Sequence, residues 1–357
     1  MGYNFRSRER ITVKKALEES IALRRLRNFL DRNEPQLVYF LVHTWRTQAK
    51  AITYKELREA ILAGDITWSV LQEWQEDYAA FVRDHMKPKY EEAIRAAASN
   101  IEAKYKDWYF DPMGYGVQEW VNDRAASFVT EVSSTQIEGL RTVIQRAAVL
   151  ETMTVDQLAR AIRPMVGLTH PQAVANMNYF EKLVASGTKE ERAKDLAARY
   201  AARQHRYRGY NIARTELAFA YNQGSFFGTL QAQDKGYMGD VVKVWSTAED
   251  ERVCPICGAL AGTRVGMDEE FTYEEIDDAG NSRTRILNPK LSRIDTPSIG
   301  KVPPAHPGCR CAVMYKEITP PIATITQVEA PIGVTPAGNT AQLVRGQRTS
   351  TIGVPYE

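Results

Sequence analysis

The sequence predicts a mainly α-helical chain with a small α+β Cys/His module near its C-terminus and an extended tail. Three observations carry this. Apolar residues recur at three- and four-residue steps through residues 35–106 and again through 117–235, the period of a helix with one buried face. The strand-like run Val241-Val242-Lys243-Val244-Trp245-Ser246 comes only after them, and all four cysteines follow it, between Cys254 and Cys311. From residue 317 to 357 there are five prolines, five charged residues and one aromatic residue, Tyr356, too little apolar surface for a core.

Composition bounds the function classes. Charged residues at 25% and hydrophobic residues at 44% are ordinary globular values, and 357 residues suffice for two or three domains. A net charge of +2 leaves any affinity for nucleic acid to local patches. The apolar run Leu37 to Val42 is far too short to span a bilayer, so no membrane segment is expected. Arg6, Arg8 and Arg10 are not followed by the apolar region of a secretory leader. Four cysteines are too few for a secreted disulfide scaffold, so the chain reads as made in a reducing cytoplasm.

Residues 1–34 read as a basic arm, with nine Lys or Arg against four Asp or Glu up to residue 32. Ile21, Leu23, Leu26, Phe29 and Leu30 give it a rough helical stripe. It is either an arm that touches nucleic acid or an acidic partner, or a solvated helix face. Residues 35–116 form an N-terminal helical region. Thr53 and Glu56 make a capping box, and Gly64 closes the helix they start. Leu71, Trp74, Tyr78, Val82, His85 and Met86 lie on one apolar face, with His85 as a core histidine. Pro88 should kink or end that helix. Trp108-Tyr109-Phe110 and the turn residues to Gly116 break the helical run and suggest a domain boundary.

Residues 117–236 form a second helical block. Its first stripe (Phe128, Val132, Ile137, Leu140, Ile144) is broken around Ser133-Ser134-Thr135. Thr154 with Gln157, Thr169 with Gln172, and Thr188 with Glu191 are predicted capping boxes, and Gly167 and Gly187 are predicted turns. Arg192, Arg199, Arg203 and Arg206 share one helix face. That face is either a phosphate-facing stripe or a solvated surface with acidic neighbours such as Glu190 and Asp195. Gly209 is expected to end this helix, and a further helix to run from Asn211 to Gly224. Within it, Arg214 and Glu216 are rotated about 200° apart, so each needs its own partner. Ala213, Ala220 and Gly224 predict close helix packing.

Residues 237–316 form the Cys/His module. Cys254-x-x-Cys257 and His306-x-x-Cys309 offer soft ligands at the spacing of a tetrahedral zinc site, and Cys311 is a fifth candidate for four places. Structural zinc and a pair of disulfides both remain open on these residues, as does the choice of four ligands. A catalytic zinc is disfavoured, because no general base lies nearby in sequence. An insertion at 265–300 separates the two ligand pairs. Its acidic part and its Arg283-Thr284-Arg285 part predict a hairpin with an acidic and a basic arm, turning at Gly280-Asn281. The tail, 317–357, carries a local repeat, Ile332-Gly333-Val334-Thr335-Pro336 and Ile352-Gly353-Val354-Pro355. It is either an extended segment that orders along a partner or a linker.

The ordered set Ala213-Arg214-Thr215-Glu216, Asn222-x-Gly224, the Trp245 strand, Asp250-x-Arg252-Val253-Cys254-x-x-Cys257, Leu260-x-Gly262 and Pro303-Pro304-x-His306-Pro307-x-Cys309-Arg310-Cys311 resembles the phage head-morphogenesis family, the minor capsid proteins similar to protein F of phage Mu. The resemblance covers about residues 120–316, and the insertion is long for the family. It implies a non-enzymatic virion protein present in few copies near the portal vertex, assembled in the host cytoplasm, with roles in head assembly and in genome packaging or delivery. The portal protein is the implied partner, and the major capsid or scaffold protein and double-stranded DNA are further candidates. Arg214, Glu216, Asn222, Asp250 and Arg252 are then structural motif residues, with Asp250 and Arg252 fixing the loop around the first cysteine pair. Two rival classes are a zinc-dependent DNA-processing nuclease and a free DNA-binding protein. The missing second catalytic histidine and the near-neutral charge count against them.

Overall fold

A computed structural model describes residues 20–149, 153–248, 253–276, 282–286 and 301–318. It is mostly helical, with a small three-stranded sheet near the C-terminus, as the apolar periodicity predicts. Helix α1 (Ile21–Ala51) starts at Ser20, whose hydroxyl accepts from the Leu23 N–H. The boundary expected at 34/35 falls inside this helix, which carries Pro35 within it. Helix α2 (Tyr54–Ala63) has the Thr53–Glu56 capping box and ends at Gly64, whose φ of +74° favours glycine.

Helix α3 (Trp68–Phe81) runs into one π turn, Val82–Met86, and then α4 (Lys87–Glu102). Proline lacks an N–H and its ring crowds the preceding turn. Here Pro88 falls in the first turn of α4, immediately after the wider π turn, so the chain continues. Helix α5 (Tyr115–Ala148) crosses the 116/117 boundary and passes unbroken through Ser133-Ser134-Thr135. Helices α6 (Val155–Ile162) and α7 (His170–Ala185) have the capping boxes of Thr154 and Thr169.

Helix α8 (Glu190–Asp234) departs from expectation at two points. It is one helix of 45 residues, not two, because Gly209 does not end it. Gly209 is instead where α1 comes close: a Cβ there would lie 3.4 Å from Val38 and 3.6 Å from Val42. Its N-cap is Lys189 without a side-chain cap, so the Thr188–Glu191 box does not form; Glu191 pairs with Lys194 instead.

Two apolar clusters make the core. One gathers α2, parts of α3, α5, α6 and α7, and Ala193, Ala197 and Ala201 of α8. The other gathers α1, α4, the start of α5, the α8 residues from Ala213 onward, and the C-terminal sheet. Between them lies a buried polar layer. Arg208 donates to Gly167 O, to Val132 O and to Thr135 Oγ1, and lies 5.0 Å over the Trp45 ring. Trp45 Nε1 donates to Tyr78 Oη at 3.0 Å, Tyr78 donates to Gln136, and Gln136 donates to Gln48. His205 joins the layer with Nε2 2.8 Å from Val166 O. The break read at Ser133-Ser134-Thr135 is where α5 crosses this layer.

Close packing of α8 on α4 follows from its small residues. A Cβ on Gly224 would lie 2.5 Å from the Ile94 Cα and carbonyl oxygen, and one on Gly228 would lie 2.8 Å from Ile101. No described helix is long and apolar enough to cross a membrane.

Candidate metal centre

The module is built on strand β1 (Val241–Ser246), which pairs antiparallel with β2 (Arg264–Gly266) and with β5 (Ala312–Glu317). The sheet order is therefore β2-β1-β5. Strands β3 (Thr272–Ile276) and β4 (Ser282–Ile286) form the expected hairpin, with Glu275 opposite Arg283 and Tyr273 opposite Arg285; its turn lies outside the described residues. Ser20 at the start of α1 meets Ser246 at the end of β1, hydroxyl to hydroxyl at 2.7 Å.

Both ligand pairs come together at one end of this sheet. Cys254 is the N-cap of the short helix α9 (Pro255–Leu260), and its sulfur accepts from the Cys257 N–H at 3.3 Å. From the other end of the sequence, His306 Nε2 lies 3.1 Å from Cys254 Sγ and 3.4 Å from Cys257 Sγ. The sulfurs of Cys257 and Cys309 are 3.7 Å apart. Ligand atoms around a tetrahedral zinc ion sit roughly 3.3–3.8 Å from one another, given metal–ligand bonds of about 2.0–2.3 Å. The donors fit zinc in chemistry, and two triads, Cys254–Cys257–His306 and Cys257–Cys309–Cys311, each bring their ligand atoms within 4.8 Å of one another, close enough to hold a metal ion. All four cysteines are free. His306 Nδ1 lies 2.9 Å from Pro307 O, so a proton on Nδ1 leaves the Nε2 lone pair turned toward the thiols. The hydrogen bond shared by the Cys257 and Cys309 sulfurs holds Cys309 well below the ordinary thiol range and pushes Cys257 up.

Helix α8 holds the second ligand segment from below. Thr215 Oγ1 donates to Asn211 O and accepts the Gly308 N–H at 2.9 Å. Asn222, 1% exposed, donates to Cys311 O at 3.2 Å and accepts the Val313 N–H at 3.1 Å. These two side chains fasten the backbone on both sides of Cys309. Arg214 and Glu216 find separate partners. Arg214 grips Glu34 of α1 with two hydrogen bonds of 2.7 and 3.0 Å. Glu216 is held by Arg124 of α5 through both oxygens and by Tyr90 of α4 at 2.7 Å. The Arg124–Glu216 pair is deeply buried and the Arg214–Glu34 pair partly so, and together they lock α1, α4 and α5 to the stretch of α8 that carries the module.

Arg192, Arg199, Arg203 and Arg206 are all exposed on one side of α8. Arg192 and Arg199 share Asp195 as an ion-pair partner, and Arg203 lies over Tyr200. They are far along the helix from the Cys/His cluster. Asp250 and Arg252 lie outside the described residues. Beside the sheet, Lys243 is buried with its ammonium on Glu269 O at 2.6 Å and over the rings of Phe226 and Phe271. Burial draws its pKa down to about 8.

Sequence reasoning missed Thr215 and Arg124. Thr215 was legible only as a residue inside a motif, since nothing in a helical threonine announces a distant N–H. Arg124 lies on an ordinary amphipathic helix, and its burial depends on α4 and α8 both being there.

Residues 145–314, just under half of the chain, match the family model described as Phage Mu protein F like protein. This is the phage head-morphogenesis family that the motifs resemble, and the match spans the whole of α8 and the whole Cys/His cluster. No curated protein and no solved structure matches the chain.

Proposed function

We propose that this is a non-enzymatic minor head protein of a tailed phage, which docks on the portal ring and carries a zinc-stapled module. The observation that carries the reading is the Cys/His cluster, fastened to α8 by Thr215 and Asn222 within the family-matching segment. Five donors for four positions leave no open coordination site for a substrate, which is the property of a structural zinc. Bound there, zinc would supply cross-linking of the two ligand segments, which so small a sheet cannot achieve with apolar packing alone. Cys254, Cys257, His306, Cys309 and Cys311 are the residues that would hold it. The ion pairs of Arg214 with Glu34 and of Glu216 with Arg124 then make module and helices one body for docking.

On this reading the exposed stripe Arg192, Arg199, Arg203 and Arg206 faces duplex DNA near the portal vertex, during packaging or delivery. Major capsid or scaffold protein would be a further neighbour. Two experiments test the proposal. Phage lacking the chain should give heads with altered portal composition and poor filling; normal, filled heads would overturn the docking role. For DNA, replacing the four arginines by glutamine should flatten the salt dependence of binding by about 0.9 log unit per lost phosphate contact. An unchanged slope removes the stripe from the interface.

A further inference from the structure

A groove runs between the C-terminal half of α1 and α3. It holds two cavities, one of about 450 Å³ and one of about 250 Å³, which share Thr47, Asp77 and Ala80 in their walls. Its floor is apolar: Ile52, Val70, Trp74 and Phe81 line it and are buried. Its rim is acidic. Glu73, Glu76 and Asp77 are exposed, and none has an ion-pair partner among the described residues. No lysine or arginine lines either cavity. At the far end the π turn contributes Asp84 and His85, whose ring stacks on Phe40 at 4.0 Å. A groove that is apolar below and negative above fits an extended segment with cations along one edge and apolar side chains along the other.

The chain itself supplies such a segment. Residues 1–19, ahead of the first described residue, contain Tyr3-Asn4-Phe5-Arg6-Ser7-Arg8-Glu9-Arg10-Ile11. Laid out as a strand, Arg6, Arg8 and Arg10 share one edge at steps of about 6.6–6.8 Å, and Tyr3, Phe5 and Ile11 share the other. Glu73 and Asp77, one helical turn apart on α3, offer carboxylates at a step of about 6 Å. We propose that this arm of one copy lies in the groove of a second copy, its arginines along the acidic rim and its aromatic residues in the cavities. Reach favours a second copy over the chain's own groove. A fully extended chain spans at most about 33–36 Å between Arg10 and Ser20. Helix α1 rises about 35 Å from Ser20 to His43, where the groove begins. The arm must therefore be stretched to its limit to reach its own groove, whereas a neighbour's arm enters without that loss of freedom. The contact is head-to-tail, so it links copies into a ring where the rotation closes. It rests on neither the metal nor the portal reading.

The test uses the full chain, freed of nucleic acid, and reads its mass by analytical ultracentrifugation. Wild type should self-associate, and the association should weaken as the Debye length shrinks from about 10 Å at 0.1 M salt to about 3 Å at 1 M. The arm variant Arg6→Glu/Arg8→Glu/Arg10→Glu and the groove variant Glu73→Lys/Glu76→Lys/Asp77→Lys should each self-associate about 10–100-fold more weakly, as three exposed pairs are reversed. Mixed in equal amounts, the two variants should associate like wild type, because each arm then meets a groove of opposite charge. Only a contact between copies gives that rescue. Far-UV circular dichroism checks that each variant is as helical as wild type. If the lysines unfold α3, Glu73→Gln/Glu76→Gln/Asp77→Gln carries the test, with association weakened and its salt dependence lost. A monomeric wild type, variants that associate as wild type does, or folded variants whose mixture stays monomeric each overturn the proposal. So does loss of association when Arg192, Arg199, Arg203 and Arg206 are replaced by glutamine, since the contact would then lie on α8.

Discussion

Substitution of Gly224 by alanine isolates how tightly α8 and α4 are pressed together. The new methyl group would stand 2.5 Å from both the Cα and the carbonyl oxygen of Ile94, and 2.9 Å from its carbonyl carbon. These are backbone atoms, so no rotamer change relieves the clash and α4 must shift. Alanine in place of glycine inside a helix gains about 1 kcal/mol of propensity. Overpacking against main chain costs about 3 kcal/mol, the upper part of the usual range. The net loss expected for Gly224→Ala is about 2 kcal/mol. Gly209→Ala supplies the control on the same helix. Its methyl would meet Val38 and Val42 side chains at 3.4 and 3.6 Å, ordinary contact distances, so most of the propensity gain should survive. Urea unfolding of both variants at fixed zinc concentration reads the difference as midpoint shifts of opposite sign with unchanged slope. If Gly224→Ala is as stable as wild type, or Gly209→Ala is as damaging as Gly224→Ala, the close approach of α4 and α8 is misplaced.

Three further outcomes are expected. Asn222→Ala strands the buried Val313 N–H and should cost about 1–3 kcal/mol by urea unfolding, with zinc affinity falling about 10–100-fold in chelator competition. Glu216→Ala leaves the buried Arg124 guanidinium with only Glu131, 3.7 Å away, and should cost about 3–5 kcal/mol; a loss under about 1 kcal/mol would show that water reaches the pair. His205 is buried among the helices, and desolvation lowers its pKa from 6.5 to about 4, so the unfolded chain takes up a proton in a range where the folded chain does not. Stability should therefore fall as pH drops from about 6.5 to 4 and level off below. His205→Gln should remove the part of that slope due to this residue in pH-resolved urea titrations.

What was legible in the sequence divides along physical lines. The boxes at Thr53, Thr154 and Thr169 and the αL glycine at Gly64 are local devices whose partners lie three residues away, so pattern suffices. The Cys/His cluster was legible as a candidate metal site because soft ligands are rare and their spacing is short. Gly209 was misread because a glycine that ends a helix and one that admits a neighbouring helix leave the same mark; only Val38 and Val42 decide between them. Strand β5 was hidden behind the cysteine run, since it pairs with β1 across the intervening residues 247–311. The need of Arg214 and Glu216 for separate partners followed from helix geometry alone, but Glu34, Arg124 and Tyr90 could be named only from the tertiary arrangement.

The polar layer around Arg208 has a consequence for how the molecule comes apart. Helix α8 is the spine of both apolar clusters, yet the layer at its middle contributes hydrogen bonds rather than dispersion and hydrophobic burial. Opening one cluster exposes this layer to water, which can replace its bonds at little loss. The two ends of α8 are therefore joined by covalent continuity but divided energetically, like two cooperative units spliced by one rod. Amide exchange along α8 would then fall into two levels meeting near residues 205–209, with the slower level on the side that carries the Cys/His cluster.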